Sequence, residues 1–396
     1  RTNNRLKKTT RFHKVNILSF FYALYCGILL KDNYWRLHTM KYLKSLMLVA
    51  VLLTTGCQAK EQVETPNQNL GTEQKNYEPV SQNKYLLGTI VTITLYDNPE
   101  QEIFDEIFNA IEQIEKEMTI NNATTSEVIS INQQAGVDYV PVSKQTFDVI
   151  KAGVYYSQLG NGSFDITVGP LVKLWEIGFE DAHVPNSDEI AQSLTHIDYH
   201  KVLLDEENYA VKLEDKGMQL DLGGIAKGYA ADVAAQILKE HGNKQAIINL
   251  GGNVYAYGEK ANGDSFRIGV QNPFSPRGDY LGILSVKDKT VVTSGTYERY
   301  FQQDGKIYHH ILDPKTGYPV ENNLKSVTIV TKSSMSADAL STMSFVLGLD
   351  EGMKLIESLS DVEALFITDD QKLYASSGFL ANFELTDTSF VIETLK

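Results

Sequence analysis

Between residues 85 and 376 the apolar positions follow two rhythms, one of period two and one near 3.6. Over Tyr85–Tyr96, Ile90, Thr92 and Thr94 interleave with Val91, Ile93 and Leu95, which predicts a strand. Ile103, Ile107, Ile111 and Ile114 recur at helical spacing with acidic residues between them, predicting an amphipathic helix over Ile103–Met118. Two further helices are predicted: Thr146–Leu159, ended by Gly160-Asn161-Gly162, and Ile225–Glu240, closed by His241-Gly242. A strand ending in Met218–Leu222 should lead into the second of these. Strand-like runs follow at Ala246–Leu250, Phe266–Val270, Gly282–Val286, Val291–Ser294 and Ser326–Thr331. A helix over Ala337–Leu347 comes next, and strands Ala364–Thr368 and Lys372–Ser376 close the pattern. Strands and helices mix without regular βαβ alternation, so the expected class is α+β.

Ahead of this body the rhythm changes. Met40 is the first methionine. It is followed by basic Lys41 and Lys44, the apolar run Leu46–Leu53 and Thr54-Thr55-Gly56-Cys57, the layout of a secretory signal ending in a lipid-attachment cysteine. Thr54 stands where a lipobox usually has leucine, with Leu53 one place earlier. Residues 1–39 hold a second apolar run, Ile17–Leu30, too short to span a bilayer, and are read as an upstream or non-native extension. Residues 58–82 are rich in Gln, Glu, Asn, Thr and Pro and predict a flexible tether, leaving 83–396 as the folded domain.

Composition narrows what that domain does. An apolar fraction of 42% is ample for a core. The net charge is −14, although residues 1–57 are strongly basic with Asp32 as their single acid, so the body is more acidic still. Such a body disfavours nonspecific nucleic-acid binding, and any anionic substrate needs a local cation. Both cysteines, Cys26 and Cys57, lie in the N-terminal region, which excludes a disulfide framework, thiol nucleophile or cysteine metal cluster from the body.

Four segments carry candidate chemistry. Asp221-Leu-Gly-Gly-Ile-Ala-Lys227-Gly-Tyr-Ala-Ala-Asp232 opens a helix, where glycines, free N–H groups and Lys227 suit an anion; a plain tight turn reads equally well. Asp338 and Thr342 are i and i+4 on a helix, so a carboxylate and a hydroxyl share a face and could grip a hard cation. A dipole-stabilising Asp above a packed Thr is the bland alternative. His309-His310, within Tyr308–Pro319, offers metal ligation, general-base work or a surface pair. Gly162-Ser163-Phe164-Asp165, leading to Trp175, could flank a planar ring or form an edge strand.

Taken together these segments closely resemble the ApbE family of flavin transferases. The likeness runs from Leu87 to Gly348 through Leu87-Gly-Thr89, Ser126-Glu127…Asn132, Gly162–Val172, Asp221–Asp232, Asn249–Asn253, Thr293–Gly295, His310–Pro319 and Ala337–Thr342, in that order. The resemblance implies a two-lobed sheet-and-helix domain with FAD between the lobes. It implies magnesium-dependent transfer of FMN from FAD to a Thr or Ser hydroxyl of an extracytoplasmic target protein, releasing AMP, by an enzyme lipid-anchored outside a bacterial membrane. It assigns magnesium to Asp338, Thr342 and the Gly224 carbonyl. It assigns FAD contacts to Leu87, Ser163, Phe164, Asp165, Asp221, Lys227 and Ile311, and the catalytic base to His310. Leu87 stands where the family often has Met, and Asn121-Asn122 where many members place a stacking Tyr. An FAD pyrophosphatase using the same site, or a non-catalytic FAD-binding lipoprotein, are the alternatives.

Overall fold

The protein is described by a computed structural model over residues 78–121 and 123–395. The predicted signal, Cys57, nearly all of the tether and Asn122 lie outside the described residues. The tether boundary expected at residue 82 falls inside the first strand.

Strands β1 (Val80–Leu86) and β2 (Thr89–Leu95) form an antiparallel hairpin where one continuous strand was expected. The chain reverses at Leu87-Gly88, with φ of 52° and 68°. That two-residue geometry matches the twist of the flanking strands, and alternation on both sides of it hides the turn. Helix α1 (Gln101–Met118) buries the predicted isoleucine stripe completely. Helix α2 (Glu127–Gln133) is capped by the Ser126 hydroxyl, which accepts from the Ile129 amide at 2.9 Å. Strand β3 (Val140–Pro141) precedes α3 (Lys144–Leu159). The Gly162–Trp175 segment holds no strand; it turns and enters a short helix, α4 (Gly169–Trp175), with Pro170 in its first turn. Helix α5 (Ser187–Leu194) has a full capping box from Asn186 and Glu189. Strands β4 (Val202–Asp205) and β5 (Ala210–Leu213) pair with β3 in a three-stranded sheet.

The strand expected over Met218–Leu222 is absent; Gln219 makes only an isolated bridge to Val168. Helix α6 (Ala226–Glu240) follows, then β6 (Gln245–Leu250), β7 (Asn253–Gly258), β8 (Phe266–Gln271), β9 (Tyr280–Val286) and β10 (Lys289–Gly295). A small hairpin, β11 (Tyr300–Gln303) and β12 (Lys306–His309), precedes β13 (Leu324–Thr331). Helix α7 (Ser334–Glu357) is longer than expected because helical turns resume beyond a break at Gly348, where φ is 79°. Strands β14 (Glu363–Thr368) and β15 (Lys372–Ala375) are not the last: β16 (Phe383–Leu385) and β17 (Val391–Glu393) follow.

Nine strands join in the order β1-β2-β6-β7-β10-β13-β14-β15-β17, all antiparallel except the final β15–β17 pair. Alternation then sorts the side chains. Val292, Val327, Ile329 and Phe366 face the large core shared with α1, α6 and α7. Val291, Leu365 and Ile367 face the opposite side, where Phe266, Leu281 and Leu284 of the β16-β9-β8 sheet cover them. A third cluster gathers Leu171, Trp175, Ile190 and Leu312 with Phe301 and Tyr308 of the β11–β12 hairpin. The α+β class expected from the pattern is observed. No helix among the described residues is long and apolar enough to cross a membrane.

Candidate active site

Four turns from distant parts of the chain converge on one cavity of about 760 Å³, within the range of small-molecule sites. The first is the bend from Asp221 into α6. The Asp221 carboxylate accepts from the Gly223 amide at 2.6 Å and so folds the glycine bend over itself. Burial pushes that carboxyl upward from its ordinary pKa, against the opposing charges of Lys173, Lys227 and Arg299. Gly224 leaves its side-chain space to the Phe164 ring; a Cβ there would lie 3.0 Å from Cε2. Lys227, in the first turn of α6, donates to the Gly223 carbonyl at 3.0 Å and stands 3.8 Å from Asp338 Oδ1.

The second is the start of α7. Asp338 is buried, and its Oδ2 accepts the Gly228 amide of α6 at 2.9 Å. One turn later Thr342 Oγ1 lies 3.3 Å from Ser294 Oγ, which bonds more closely, at 2.8 Å, to Ser341 Oγ. Gly224, Asp338 and Thr342 all line the cavity. One carboxylate with neutral hydroxyl and carbonyl oxygens is a hard-oxygen set of the kind magnesium takes alongside substrate phosphates. Among the described residues no group of three or more His, Cys, Asp or Glu gathers to hold a metal by itself.

The third is the strand exit at His310. Its backbone amide donates to the Arg299 carbonyl at 3.0 Å, and its Nδ1 lies 3.3 Å from the same oxygen. A carbonyl only accepts, so Nδ1 carries the proton and Nε2 keeps the lone pair. Burial, then the charges of Arg299, His309 and Lys227, hold His310 down to about 3, so the imidazole is neutral at physiological pH. His309 points elsewhere: Nε2 contacts the Val320 carbonyl at 3.0 Å, and the ring meets Phe345 edge-on at 5.8 Å. His310 lines the cavity and His309 does not.

The fourth is the Ser163-Phe164-Asp165 turn. Ser163 Oγ donates to the Gly160 carbonyl at 2.8 Å. The Asp165 carboxylate accepts from the Thr167 amide at 2.8 Å, the Thr167 hydroxyl at 2.6 Å and the Tyr199 amide at 3.2 Å. Those bonds occupy it within the fold, so Asp165 stands at the cavity as a fixed wall.

Of the residues singled out in sequence, Ser163, Phe164, Asp165, Asp221, Gly224, Lys227, His310, Ile311, Asp338 and Thr342 share the cavity. Leu87 does not join them. Its amide donates to Glu115 Oε1 at 3.0 Å, and its neighbours Gly88 and Thr89 form that part of the wall. Two of the lining residues that had drawn no role stand out. Arg299 makes no ion pair among the described residues, and nothing local in the sequence marks it. Asn253 is buried with Oδ1 accepting from Ser334 Oγ at 2.7 Å, while its Nδ2 has no partner. It ends the Asn249–Asn253 segment, whose glycines were the visible signal.

A family model described as the ApbE family matches residues 87–366. The chain is 38% identical over 307 residues to the FAD:protein FMN transferase of Klebsiella pneumoniae, covering 78% of this chain and 95% of that protein. It is 35% identical over 331 residues to the FAD:protein FMN transferase of Treponema pallidum, covering 79% and 91%. Among solved structures, the ApbE protein of Thermotoga maritima superposes with a TM-score of 0.71 at 34% identity, over 77% of this chain and 99% of that one. The flavin transferase ApbE from Vibrio cholerae gives 0.69 at 30% identity, over 77% and 99%.

Proposed function

This chain belongs to the ApbE family, and we propose that it is an FAD:protein FMN transferase acting on a Ser or Thr hydroxyl of an extracytoplasmic protein. The observation that carries the reading is the meeting of Lys227, His310 and Asp338 on one cavity, from three elements far apart in sequence. A binding protein that only stored FAD would need the cations but no neutral histidine beside them.

Asp338, Thr342 and the Gly224 carbonyl are the residues that would hold magnesium. Bound there, the ion would neutralise pyrophosphate charge and favour departure of the AMP half. Lys227 and Arg299 supply the remaining positive charge in an otherwise acidic protein. His310 Nε2 takes the proton as the acceptor oxygen bonds to the FMN phosphorus. The bond from that phosphorus to the bridging oxygen breaks, and AMP leaves with the electron pair. Phosphate bound beside Lys227 and Arg299 offsets the charges that depress His310, which raises its basicity when substrate is present. Ser163, Phe164, Asp221 and Ile311 contribute the surrounding wall of the FAD site. The cavity is read as lying between two lobes, one built on the nine-stranded sheet with α6 and α7, the other around Trp175 with α4 and the β11–β12 hairpin.

The basic, apolar, Cys57-terminated leader supports export and lipid attachment, with the acidic body held outside the membrane by the polar segment after Cys57. The test of function is direct. A Ser/Thr-bearing flavoprotein candidate incubated with the enzyme, FAD and magnesium should acquire covalent flavin, with an intact mass raised by one FMN less one water. Unlabelled protein with FAD cleaved to FMN and AMP would mean that water is the acceptor.

A further inference from the structure

The β11–β12 hairpin delivers His310 and leaves the outer edge of β11 unpaired among the described residues. Asp304 and Gly305 make the turn with φ of 51° and 79°, and the register pairs Gln303 with Lys306 and Tyr300 with His309. The His310 amide donates to the Arg299 carbonyl, so 299 and 310 form a hydrogen-bonded pair. Antiparallel pairs alternate, so Phe301–Tyr308 and Gln303–Lys306 are bonded pairs too. Tyr300 and Gln302, in the pairs between, therefore turn their peptide groups away from β12.

The returning segment 319–321 runs beside β12 and its exit. Val320 donates its amide to the Ile311 carbonyl at 3.0 Å, Leu312 bridges Pro319, and Glu321 pairs with Lys306. The outer side of β11 has no strand against it among the described residues. Edge strands are normally blunted by charge, proline or a bulge. This one reads Tyr-Phe-Gln-Gln, without charge or proline. It is also held firmly: Phe301 and Tyr308 stack at 5.3 Å, and Tyr308 lies 5.7 Å from buried Trp175. Tyr300 is 52% exposed and, with Arg299, lines the cavity containing His310.

We propose that the acceptor protein presents its hydroxyl on an extended segment that adds as a third strand along β11, through the outward peptide groups of Tyr300 and Gln302. The inference rests on the transferase reading. The open edge runs continuously into the cavity wall, so a strand laid along it is led toward His310. Main-chain pairing supplies affinity with little demand on side chains and holds the segment extended. A Ser or Thr in an exposed loop or strand of the acceptor meets that requirement.

Gln302→Pro deletes the outward N–H while leaving the hairpin ladder intact. We expect kcat/KM for the acceptor flavoprotein to fall by at least about tenfold, the loss of roughly one well-made hydrogen bond. Affinity for FAD with magnesium should stay unchanged. In the unmodified enzyme, amide hydrogen exchange at Tyr300 and Gln302 should slow when saturating acceptor is added, which a merely misfolded variant would not explain. Transfer by Gln302→Pro within twofold of wild type, or unchanged exchange at both amides, overturns the proposal. Concentration-dependent self-association abolished by Gln302→Pro would give the edge to a second copy of this chain and also overturn it. Wild type that cleaves FAD without labelling the acceptor sinks the transferase reading itself; labelled acceptor with an indifferent Gln302→Pro sinks only the docking edge.

Discussion

The amide of Gly228 donates to Asp338 Oδ2 at 2.9 Å, tying the N-terminal ends of α6 and α7 together across 110 residues of sequence. The close approach needs glycine. A Cβ at Gly228 would overlap the Ser334 carbonyl oxygen and lie 2.6 Å from Met335 Cα, both backbone atoms that cannot swing aside. Gly228→Ala should therefore push the helices apart, costing about 1–3 kcal/mol and displacing Asp338. Chemical denaturation beside an FAD-binding titration checks it; unchanged stability would mean that the helix pair is looser than the geometry states.

Charge and hydrogen bonding at Asp338 can be separated. Asp338→Asn keeps an oxygen for the Gly228 amide but removes the negative charge that an ion would seek. The fold should survive, while magnesium-dependent turnover drops on the order of 10²-fold, as expected for losing a few kcal/mol of charge stabilisation. Raising magnesium should restore part of the activity. Full activity in Asp338→Asn at low magnesium would remove this residue from the metal site.

The two neighbouring histidines should behave oppositely. His310→Ala should cut transfer by about 10²–10⁴-fold with FAD affinity retained, the usual range for a general base. His309, buried against Phe345, should cost about 1–3 kcal/mol of stability when replaced by Ala and leave kcat within a few-fold. Thermal melts and single-turnover rates on both variants decide between them. Reversed effects would move the base to His309.

The low pKa of His310 fixes a pH dependence. A base works only unprotonated, so activity is lost as pH falls through its pKa. The free-enzyme value is held down to about 3 from 6.5, and kcat/KM for FAD reports the free enzyme. Its acid limb should therefore lie well below 6.5. A limb at or above 6.5 that vanishes in His310→Ala would contradict the neutral assignment.

Much of this was legible in the chain because the long helices carry their own signal. The Ile103–Ile114 stripe of α1 is buried as its spacing implies, and Asp338 and Thr342 share a helix face because i and i+4 always do. Short elements were not legible. Helices α2, α4 and α5 span two turns each, too few for a period to emerge, and the Leu87-Gly88 reversal left alternation intact on both sides. Tertiary partners were invisible for a different reason. Arg299 reaches the site only because its carbonyl pairs with His310, and no local pattern encodes that register.

For the anchor, Cys57→Ala should leave the protein unprocessed or without lipid, while the wild type partitions with membranes and takes up labelled fatty acid. Absence of label on the wild type would end the lipid-anchor assignment.

The central claim is that the hydroxyl of another protein, and not water, receives the FMN phosphorus. It is tested most directly by measuring AMP release and covalent flavin on the acceptor in one reaction, with FAD, magnesium and the acceptor flavoprotein. The account predicts that the two rise together in equal amounts, and that both collapse in His310→Ala and Asp338→Asn. AMP accumulating with free FMN, and no flavin on the acceptor, would contradict it.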